Sequence, residues 1–348
     1  MNKRSIHVIH IGVGGDVPGG MAQVLNEYVS WNYSGFEVER VASTRGRHDP
    51  LSPLLWVKAL ALLVLKRFQY GGRTVIAVHL SERGSFVREG SVVLLARALG
   101  FRVTAHLHGS EFAEFLEGNR KLVRSVLGAS RLVWVLTDDA QSQVNALFEG
   151  RNRSPQVRKI ANAVSLPRLP GAKVKHVLFG GEIGTRKGAD VLFGAWNQIA
   201  PSIRAGWTLL LVGPLAMDIS KVQIGDDVEV RLPVGRLDMR RLQLAASIAV
   251  LPSRHEALPM FLIESMASGC AVISTPVGQI AQLLDDGSGL LVETENSADL
   301  AAKLSSLMVD DDRRNELGRQ ARTRIERSYS EDAVKSELER AWLSLVES

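Results

Sequence analysis

Between residues 252 and 278 the chain reads Pro252-Ser-Arg-His-Glu-Ala-Leu-Pro-Met-Phe-Leu-Ile-Glu-Ser-Met-Ala-Ser-Gly-Cys-Ala-Val-Ile-Ser-Thr-Pro-Val-Gly278. The apolar run Ile248–Leu251 precedes this stretch and predicts a strand, and the polar residues up to Glu256 predict a turn. A proline before the next apolar run and a glycine after it are typical helix start and stop signals. The pattern therefore predicts a strand, a turn that carries Glu256 and a helix over Met260–Ser268 that carries Glu264.

The spacing of these two glutamates restricts their chemistry. If both were helical, eight residues would place Glu256 and Glu264 about 12 Å apart and on different faces. They cannot then act as a paired acid and base on one bond, as in glycosidases. One carboxylate in the turn and one in the helix can instead contact two parts of an elongated ligand, with the helix N-terminus between them as a natural phosphate site.

The composition is that of a globular protein, and the length suits two domains better than one. The chain has 348 residues, of which 45% are hydrophobic and 23% charged. The net charge of +5 is too small to predict nucleic-acid binding, but it favours anionic ligands or an anionic membrane surface. Cys270 is the single cysteine, so no internal disulfide is possible. The N-terminus does not resemble a signal peptide, which predicts a cytoplasmic protein.

Short apolar runs alternate with helical stretches along most of the chain, and this alternation predicts βαβ units with parallel sheets. The predicted strands are Ile6–Ile11, Thr74–His79, Arg102–His108, Leu132–Thr137, Arg158–Ile160, Lys175–Phe179, Trp207–Val212, Val228–Leu232, Ile248–Leu251 and Ala271–Ser274. The predicted helices are Met21–Trp31, Leu54–Phe68, Ser91–Leu99, Met260–Ser268 and most of the chain from Ala298 onward. The pattern breaks at Asn162–Lys173, which predicts a linker between two doubly wound α/β halves.

A glycine-rich segment, Gly12-Val-Gly-Gly-Asp-Val-Pro-Gly-Gly20, lies between the first strand and the first helix. Glycines at such a turn allow a ligand to approach the backbone closely. The spacing matches neither a dinucleotide fingerprint nor a Walker loop. Taken alone, the segment is equally compatible with a flexible connection.

The stretch from Glu256 to Gly278 resembles the glutamate–seven–glutamate signature of the GT4 family of retaining glycosyltransferases, which have the GT-B fold. Further segments agree with that family in order: the N-terminal glycine loop, Leu107-His-Gly-Ser-Glu-Phe112, Ile160-Ala-Asn-Ala-Val164, Gly184-Thr-Arg-Lys-Gly188 and Asp286-Gly-Ser-Gly-Leu-Leu-Val292. The resemblance implies two Rossmann-like domains that face each other across a cleft. Residues 1–165 would bind the acceptor and residues 166–330 the nucleotide sugar, and a helix over 331–348 would cross back to the first domain.

The resemblance also implies roles for the residues of the signature. Glu256 would contact hydroxyls of the donor sugar near the reacting carbon, and Glu264 would hold the nucleotide ribose. The backbone at the helix start would meet the diphosphate, as expected at a helix N-terminus. The residues of this backbone are Leu258, Pro259, Met260 and Phe261.

The cationic side of the implied site departs from the family pattern. Lys187 matches a basic residue that neutralises the leaving diphosphate, and fixed cations aimed at developing charge lower the barrier. The family also has an arginine five or six residues earlier, where this chain has Gly181 or Glu182. Arg186 could supply the missing charge, or it could be an exposed residue at a helix start.

His108 matches a family histidine that contacts the donor sugar through its imidazole or its backbone carbonyl. A lone histidine is usually structural, and we predict that His79 and His106 are wall or core residues. Gly19 and Gly20 would lie against the diphosphate and the acceptor, where side chains do not fit.

The implied reaction is a front-face displacement with retention of configuration, in which the leaving diphosphate helps to deprotonate the acceptor hydroxyl. Such a reaction needs no dedicated protein base, no metal and no cofactor beyond the donor. The resemblance implies a UDP- or GDP-sugar donor and a saccharide or lipid-linked acceptor in bacterial cell-surface polysaccharide or glycolipid synthesis. Two alternatives remain: a binding or partner subunit that is catalytically weak, or a sugar-nucleotide epimerase on the same fold.

Membrane contact is a further expectation. The predicted helix over Leu51–Phe68 combines leucines with Trp56, Lys58, Lys66 and Arg67, which gives it some interfacial character. More often, a helix of this kind is simply the buried crossover between two strands. Many members of the resembling family extend lipid-linked glycans. An interfacial helix would therefore predict peripheral contact of the protein with the inner face of an anionic membrane.

Overall fold

The computed structural model describes residues 5–15, 17, 19–46, 49–70, 73–109, 111–169 and 171–347. The chain divides into two compact units. The first comprises Met1–Asn162 together with Glu331–Ser348, and the second comprises Ala163–Ser330. The predicted boundary at 165/166 lies three residues after Asn162, within the predicted linker.

A six-stranded parallel sheet with helices around it forms the first unit. Its strands are β1 (Ile6–Val13), β2 (Phe36–Thr44), β3 (Thr74–Leu80), β4 (Arg102–Leu107), β5 (Leu132–Val135) and β6 (Gln156–Lys159). Its helices within the first segment are α1 (Gly20–Ser30), α2 (Ser52–Tyr70), α3 (Gly84–Ala98), α4 (Phe112–Gly128) and α5 (Asp138–Phe148). The strand order is β2-β1-β3-β4-β5-β6, so the direction of winding changes between β1 and β3.

Burial explains which of these elements are visible in the sequence. Every residue of β3 is buried, as expected for a central parallel strand that is covered on both faces. Strand β2 has no strand signal in the sequence, because its Phe-Glu-Val-Glu-Arg-Val start leaves it only half-buried at the sheet edge. Helices α4 and α5 are also absent from the predicted elements. The helical pattern of α4 is interrupted by a kink at Asn119 (φ −133°, ψ 26°).

A second six-stranded parallel sheet forms the core of the second unit. Its strands are β7 (Val174–Gly180), β8 (Thr208–Val212), β9 (Val228–Arg231), β10 (Ala246–Leu251), β11 (Ala271–Ser274) and β12 (Leu290–Leu291). Its α-helices are α6 (Ala189–Gln198), α7 (Pro201–Arg204), α8 (Arg236–Ala245), α9 (Met260–Ala267), α10 (Ile280–Leu283), α11 (Ser297–Val309) and α12 (Asp311–Ser328), with 3₁₀ turns at Thr185–Lys187 and Ile219–Lys221. The order β12-β11-β10-β7-β8-β9 places the change of winding direction between β7 and β10.

The last helix, α13 (Glu331–Glu347), belongs to the first unit. Its Trp342 is fully buried, and the indole ring contacts the rings of His10, Tyr33 and Phe36 at centroid distances of 5.8, 5.1 and 5.5 Å. A buried tryptophan contributes a large apolar area, so α13 completes the core of this unit. The predicted α/β class with two doubly wound sheets is confirmed, whereas the predicted cleft between the units stays a prediction.

Candidate functional site

The glutamate signature follows β10, and the Gly184–Gly188 segment follows β7. These two strands are hydrogen-bonded neighbours at the point where the second sheet changes its winding direction. Ligands of open α/β sheets bind at the carboxyl ends of the strands at such a point. The fold therefore brings Lys187 and Glu256, which are 69 residues apart, together at the carboxyl ends of the central strands β7 and β10.

The two loops are in direct backbone contact. Gly188 has a positive φ of 74°, and a Cβ added there would lie 1.9 Å from the carbonyl oxygen of Pro252. The Arg254 amide donates a hydrogen bond to the carbonyl oxygen of Arg186 at 3.0 Å. Because only glycine fits at position 188, the Gly184–Gly188 segment can lie against the loop that carries Glu256.

Lys187 and Glu256 form an ion pair at the centre of this contact. The Lys187 ammonium donates to Oε1 of Glu256, and the Ser253 hydroxyl donates to the same oxygen at 2.9 Å. The side chains are only 16% and 8% exposed, so each charge depends on the other for its stabilisation. An ammonium has three donors and a carboxylate two acceptor oxygens, so both groups keep capacity for a ligand. The arrangement can place a cation on a phosphate and an acceptor on a hydroxyl group side by side.

Arg254 is a structural residue of this site that the sequence analysis did not identify. Its guanidinium donates to both carboxylate oxygens of Asp190 at 2.9 and 2.8 Å, to Glu295 at 2.7 Å and to the Thr185 carbonyl. The hydrogen bonds to Asp190 raise the pKa of Arg254. Burial opposes ionisation of Asp190, but the Arg254 bonds hold the pKa of Asp190 below its ordinary value. Arg254 thereby fixes the turn that carries Lys187, and its only sequence signal is its place inside the quoted stretch.

The departure from the family pattern has a backbone explanation at one position. Gly181 adopts a φ of 138°, where side chains are strained, and a Cβ added there would lie 3.8 Å from Cε of Lys187. The carboxylate of Glu182 pairs with the Arg186 guanidinium at 3.6 Å, and both side chains are partly exposed. Arg186 therefore lies in the loop beside Lys187 but contacts an acidic group, and its role in donor binding stays a prediction.

Helix α9 carries the second glutamate and begins beside β7. Glu264 is its one residue that is not buried, and the buried Gln243 amide donates to Oε2 of Glu264 at 3.2 Å. The ring of Phe261 covers the end of β7, since a Cβ added at Gly180 would lie 2.4 Å from that ring. Pro259 occupies the N-cap position without a side-chain cap, so the helix start offers its backbone amides to a ligand. The predicted contacts of these residues with the donor stay predictions.

The first unit has its own candidate residues at the carboxyl ends of its strands. His108 follows β4, its amide donates to the Leu80 carbonyl at 2.9 Å, and its Nε2 lies 2.8 Å from Nδ1 of His79. Burial lowers the pKa of His108 to about 4. Gly19 has a φ of 133°, which explains a glycine there, and Gly20 begins α1. Asp16, Pro18 and Ser110 of the quoted segments lie outside the described residues.

Three histidines of this unit form a group that could hold a metal ion. They are His79, His106 and His108, and one ligand atom from each lies within 4.8 Å of the others. His79 and His106 are buried, as predicted for core residues. The spacing of these histidines in the sequence does not predict a cluster, because they meet only through the register that pairs His79 of β3 with His106 of β4.

Comparison with known proteins finds a family match within the second unit. Residues 168–324 match the family described as glycosyl transferases group 1, which confirms the resemblance seen in the sequence. A D-inositol 3-phosphate glycosyltransferase from an Arthrobacter species is 28% identical over 82% of this chain and 68% of its own length. Further relatives of the same name match over 19% to 53% of their length.

Solved structures extend the likeness to the whole chain. Sucrose-phosphate synthase from Thermosynechococcus elongatus has a TM-score of 0.74 at 20% identity, over 97% of this chain and 98% of that chain. HepE from Anabaena, solved in complex with UDP-glucose, has a TM-score of 0.70 at 17% identity, over 97% and 99% of the two chains. At these identities the likeness shows the fold, and together with the family match it confirms the predicted GT-B fold.

The contact between the two loops can be tested at Gly188. We expect Gly188→Ala to destabilise the protein by about 2–4 kcal/mol, because a methyl group there combines a positive φ with overpacking against Pro252. Gly206→Ala is the matched control: its φ is 78°, but a Cβ there meets nothing within 4 Å, so a loss of only about 1 kcal/mol is expected. Urea denaturation measures both changes, and equal losses would contradict the proposed close contact.

The buried histidines predict a loss of stability in acid. Burial lowers the pKa of His10 to about 3 and that of His108 to about 4, and the pKa values of His79 and His106 also fall well below the ordinary value. The unfolded chain binds more protons below about pH 6.5, so the free energy of unfolding falls as the pH falls. We expect up to about 2 kcal/mol for each histidine between pH 7 and pH 5. Denaturant titrations at both pH values test this, with His106→Asn expected to reduce the slope; equal stability at both would disprove it.

Proposed function

We propose that the chain, whose residues 168–324 match the glycosyl transferases group 1 family, is a retaining glycosyltransferase that uses a nucleotide-diphosphate sugar. The observation that carries the proposal is the Lys187–Glu256 ion pair at the edge where β7 and β10 end. The pair combines a cation suited to a leaving diphosphate with a carboxylate suited to sugar hydroxyls. The first turn of α9, with its uncapped amides, supplies a second partner for phosphate.

The donor we propose is a UDP- or GDP-sugar, and the acceptor a saccharide or lipid-linked glycan of the bacterial cell surface. The complex of HepE with UDP-glucose supports a UDP-sugar, and the name of the Arthrobacter relative supports a hydroxyl group on a small polar molecule as a further acceptor type. We propose that Glu264, which accepts a hydrogen bond from the Gln243 amide, binds the ribose hydroxyls. A displacement in which the leaving diphosphate takes the acceptor proton needs no metal, and we propose that activity is metal-independent.

We propose that α2 carries a surface that contacts membranes. One side of this helix is apolar and exposed along its length, with Leu54 at 65%, Leu65 at 64% and Phe68 at 85% exposure, and Lys58 lies among these residues. An apolar stripe with a cation suits the headgroup region of an anionic bilayer. We propose peripheral contact of α2 with the cytoplasmic face of the membrane. None of the described helices has the length and apolar composition needed to cross it.

A catalytically weak partner subunit remains the second candidate function. The observation that favours it is the Glu182–Arg186 pair, because Glu182 is one of the two positions at which the family arginine would fall and it carries a carboxylate. An acidic group beside the diphosphate position opposes the charge that develops on the leaving group.

Turnover separates the two candidates. UDP-, GDP- and ADP-sugars are incubated with the protein and a panel of saccharide and lipid-linked acceptors, and nucleotide release is measured. We expect release from at least one donor, and a roughly 10²–10³-fold loss of kcat in Glu256→Gln and Lys187→Met, because each removes a fixed charge from the reacting centre. Lys221→Met, at an exposed pair with Asp218, is the control. EDTA should not change the rate. Absence of release from every donor would contradict the glycosyltransferase activity. Release that is abolished by EDTA and restored by Mn²⁺ would contradict metal independence.

Vesicle binding tests the surface on α2. We expect the protein to co-sediment with phosphatidylglycerol vesicles at low salt and less with phosphatidylcholine vesicles, since both apolar insertion and charge contribute. Phe68→Glu should reduce binding at least about tenfold, as it places a charge in the apolar stripe. Leu237→Glu is the matched control, because Leu237 is 71% exposed but lies in the second unit. Equal binding of wild type and Phe68→Glu would rule out α2 as the contact surface.

A further inference from the structure

Three imidazoles of the first unit form a continuous hydrogen-bonded line. His10 Nδ1 lies 2.8 Å from Nε2 of His79, and Nδ1 of His79 lies 2.8 Å from Nε2 of His108. The ring centroids are 5.1 and 5.0 Å apart, so the rings meet edge to edge through their nitrogens. His79 therefore uses both ring nitrogens, and the line runs from the buried His10 on β1 to His108 at the end of β4.

Ring geometry favours this line over a metal site. The rings of His79 and His106 stack at 4.5 Å with an interplanar angle of 20°, and the angles of both to His108 are 14° and 9°. A metal lies in the plane of each imidazole that binds it, and rings stacked in nearly parallel planes do not point at one ion. The 2.8 Å separation of His79 and His108 nitrogens is also a hydrogen-bond distance, shorter than the roughly 3.3 Å between two nitrogen ligands of tetrahedral zinc.

The line couples the proton positions of its members. A neutral imidazole has one N–H and one lone pair, and each of the two contacts needs one of each. Burial lowers the pKa of all three histidines, so all are neutral near pH 7. Both hydrogen bonds must then point in the same direction, and the tautomer of one ring determines the tautomers of the other two.

The His10 end of the line determines in which direction the two hydrogen bonds are donated. Among the described residues, Nε2 of His10 has no hydrogen-bond partner, and the Trp342 ring lies edge-on to His10 at 5.8 Å. An orphaned buried N–H is rarer than an unused acceptor, so Nε2 of His10 is the unprotonated nitrogen. His10 then donates to His79, and His79 donates to His108. Because Nε2 of His10 has no hydrogen-bond partner among the described residues, the line ends there and orients protons without conducting them further.

We infer that His10 and His79 are positioning residues that hold His108 as the Nδ1–H tautomer, so that it presents a hydrogen-bond donor at the end of β4. The ring plane of His108 is fixed by the same contact. A donor at this point suits an acceptor oxygen of the sugar in the proposed reaction. The identity of this ligand rests on the proposed function, whereas the tautomer does not.

Nitrogen NMR tests the tautomer without any substrate. Long-range ¹H–¹⁵N spectra of the full-length, histidine-labelled protein distinguish protonated from unprotonated ring nitrogens, and a His108→Gln variant assigns the signals. We expect protonated Nδ1 and unprotonated Nε2 in His10, His79 and His108 at pH 7. A His108 that is protonated on Nε2, or that exchanges between tautomers, would overturn the inference. So would loss of these signals on stoichiometric binding of added Zn²⁺.

Two substitutions of His79 separate positioning from packing. His79→Asn places an amide where Nδ1 lies, next to His108, while His79→Gln places it where Nε2 lies, next to His10. We expect kcat/KM for the donor to fall roughly five- to tenfold in His79→Gln and His79→Leu, the value of one hydrogen bond, and to recover largely in His79→Asn. The fall should lie in KM for the donor or in kcat, with KM for the acceptor unchanged.

The outcomes distinguish this inference from the proposed function. Equal losses in the Asn and Gln variants of His79, with both folded by circular dichroism, would show a packing role only. If the wild type releases no nucleotide, the proposed function fails, and the NMR tautomer still decides whether the line exists as inferred. The spectra of His79→Leu should then show His108 as a mixture of tautomers; an unchanged His108 signal would overturn the inference.

Discussion

The second unit depends on the contact between two loops that follow neighbouring parallel strands. Only a glycine at position 188 allows the loop after β7 to reach the carbonyl of Pro252 after β10. That approach is what lets the Lys187 ammonium meet the Glu256 carboxylate, although the two residues are distant in sequence. The ion pair is poorly exposed, so it is stable only while the backbone contact holds it together. Backbone geometry thus comes first, and the charges of the site follow from it.

The surrounding residues make this arrangement rigid. Arg254 ties the same two loops through Asp190 and the Thr185 carbonyl, and its position near Glu256 means that one turn carries both the support and the candidate carboxylate. On the other side, Phe261 brings the start of α9 over the end of β7. A site that must stabilise charge in a transition state benefits from such fixed groups, because they need no reorganisation during the reaction.

Much of the fold and part of the site could be predicted from the sequence, for identifiable reasons. Buried parallel strands such as β3 and β10 are continuous apolar runs, so their bounds were found within a few residues. The Glu256 turn and the helix with Glu264 were visible from local signals. The edge strand β2 was not, because half of its residues are polar. Arg254 and the line of histidines were missed, since their roles arise from contacts across strands, which a single sequence does not encode.

The candidate residues of the two units differ in charge, although they lie at similar places in the fold. In both, candidate residues lie at the carboxyl ends of parallel strands, where loops from different strands meet. Lys187 and Glu256 follow β7 and β10, between which the winding direction changes, whereas His108 follows β4, one strand away from the change between β1 and β3. The second unit gathers opposite charges there, and its cation suits an anionic ligand. The first unit gathers imidazoles that burial keeps neutral, and neutral rings can be aligned only by hydrogen bonds. Trp342 of α13 closes the buried end of that alignment. The last helix therefore contributes to the order of His108 as well as to the core.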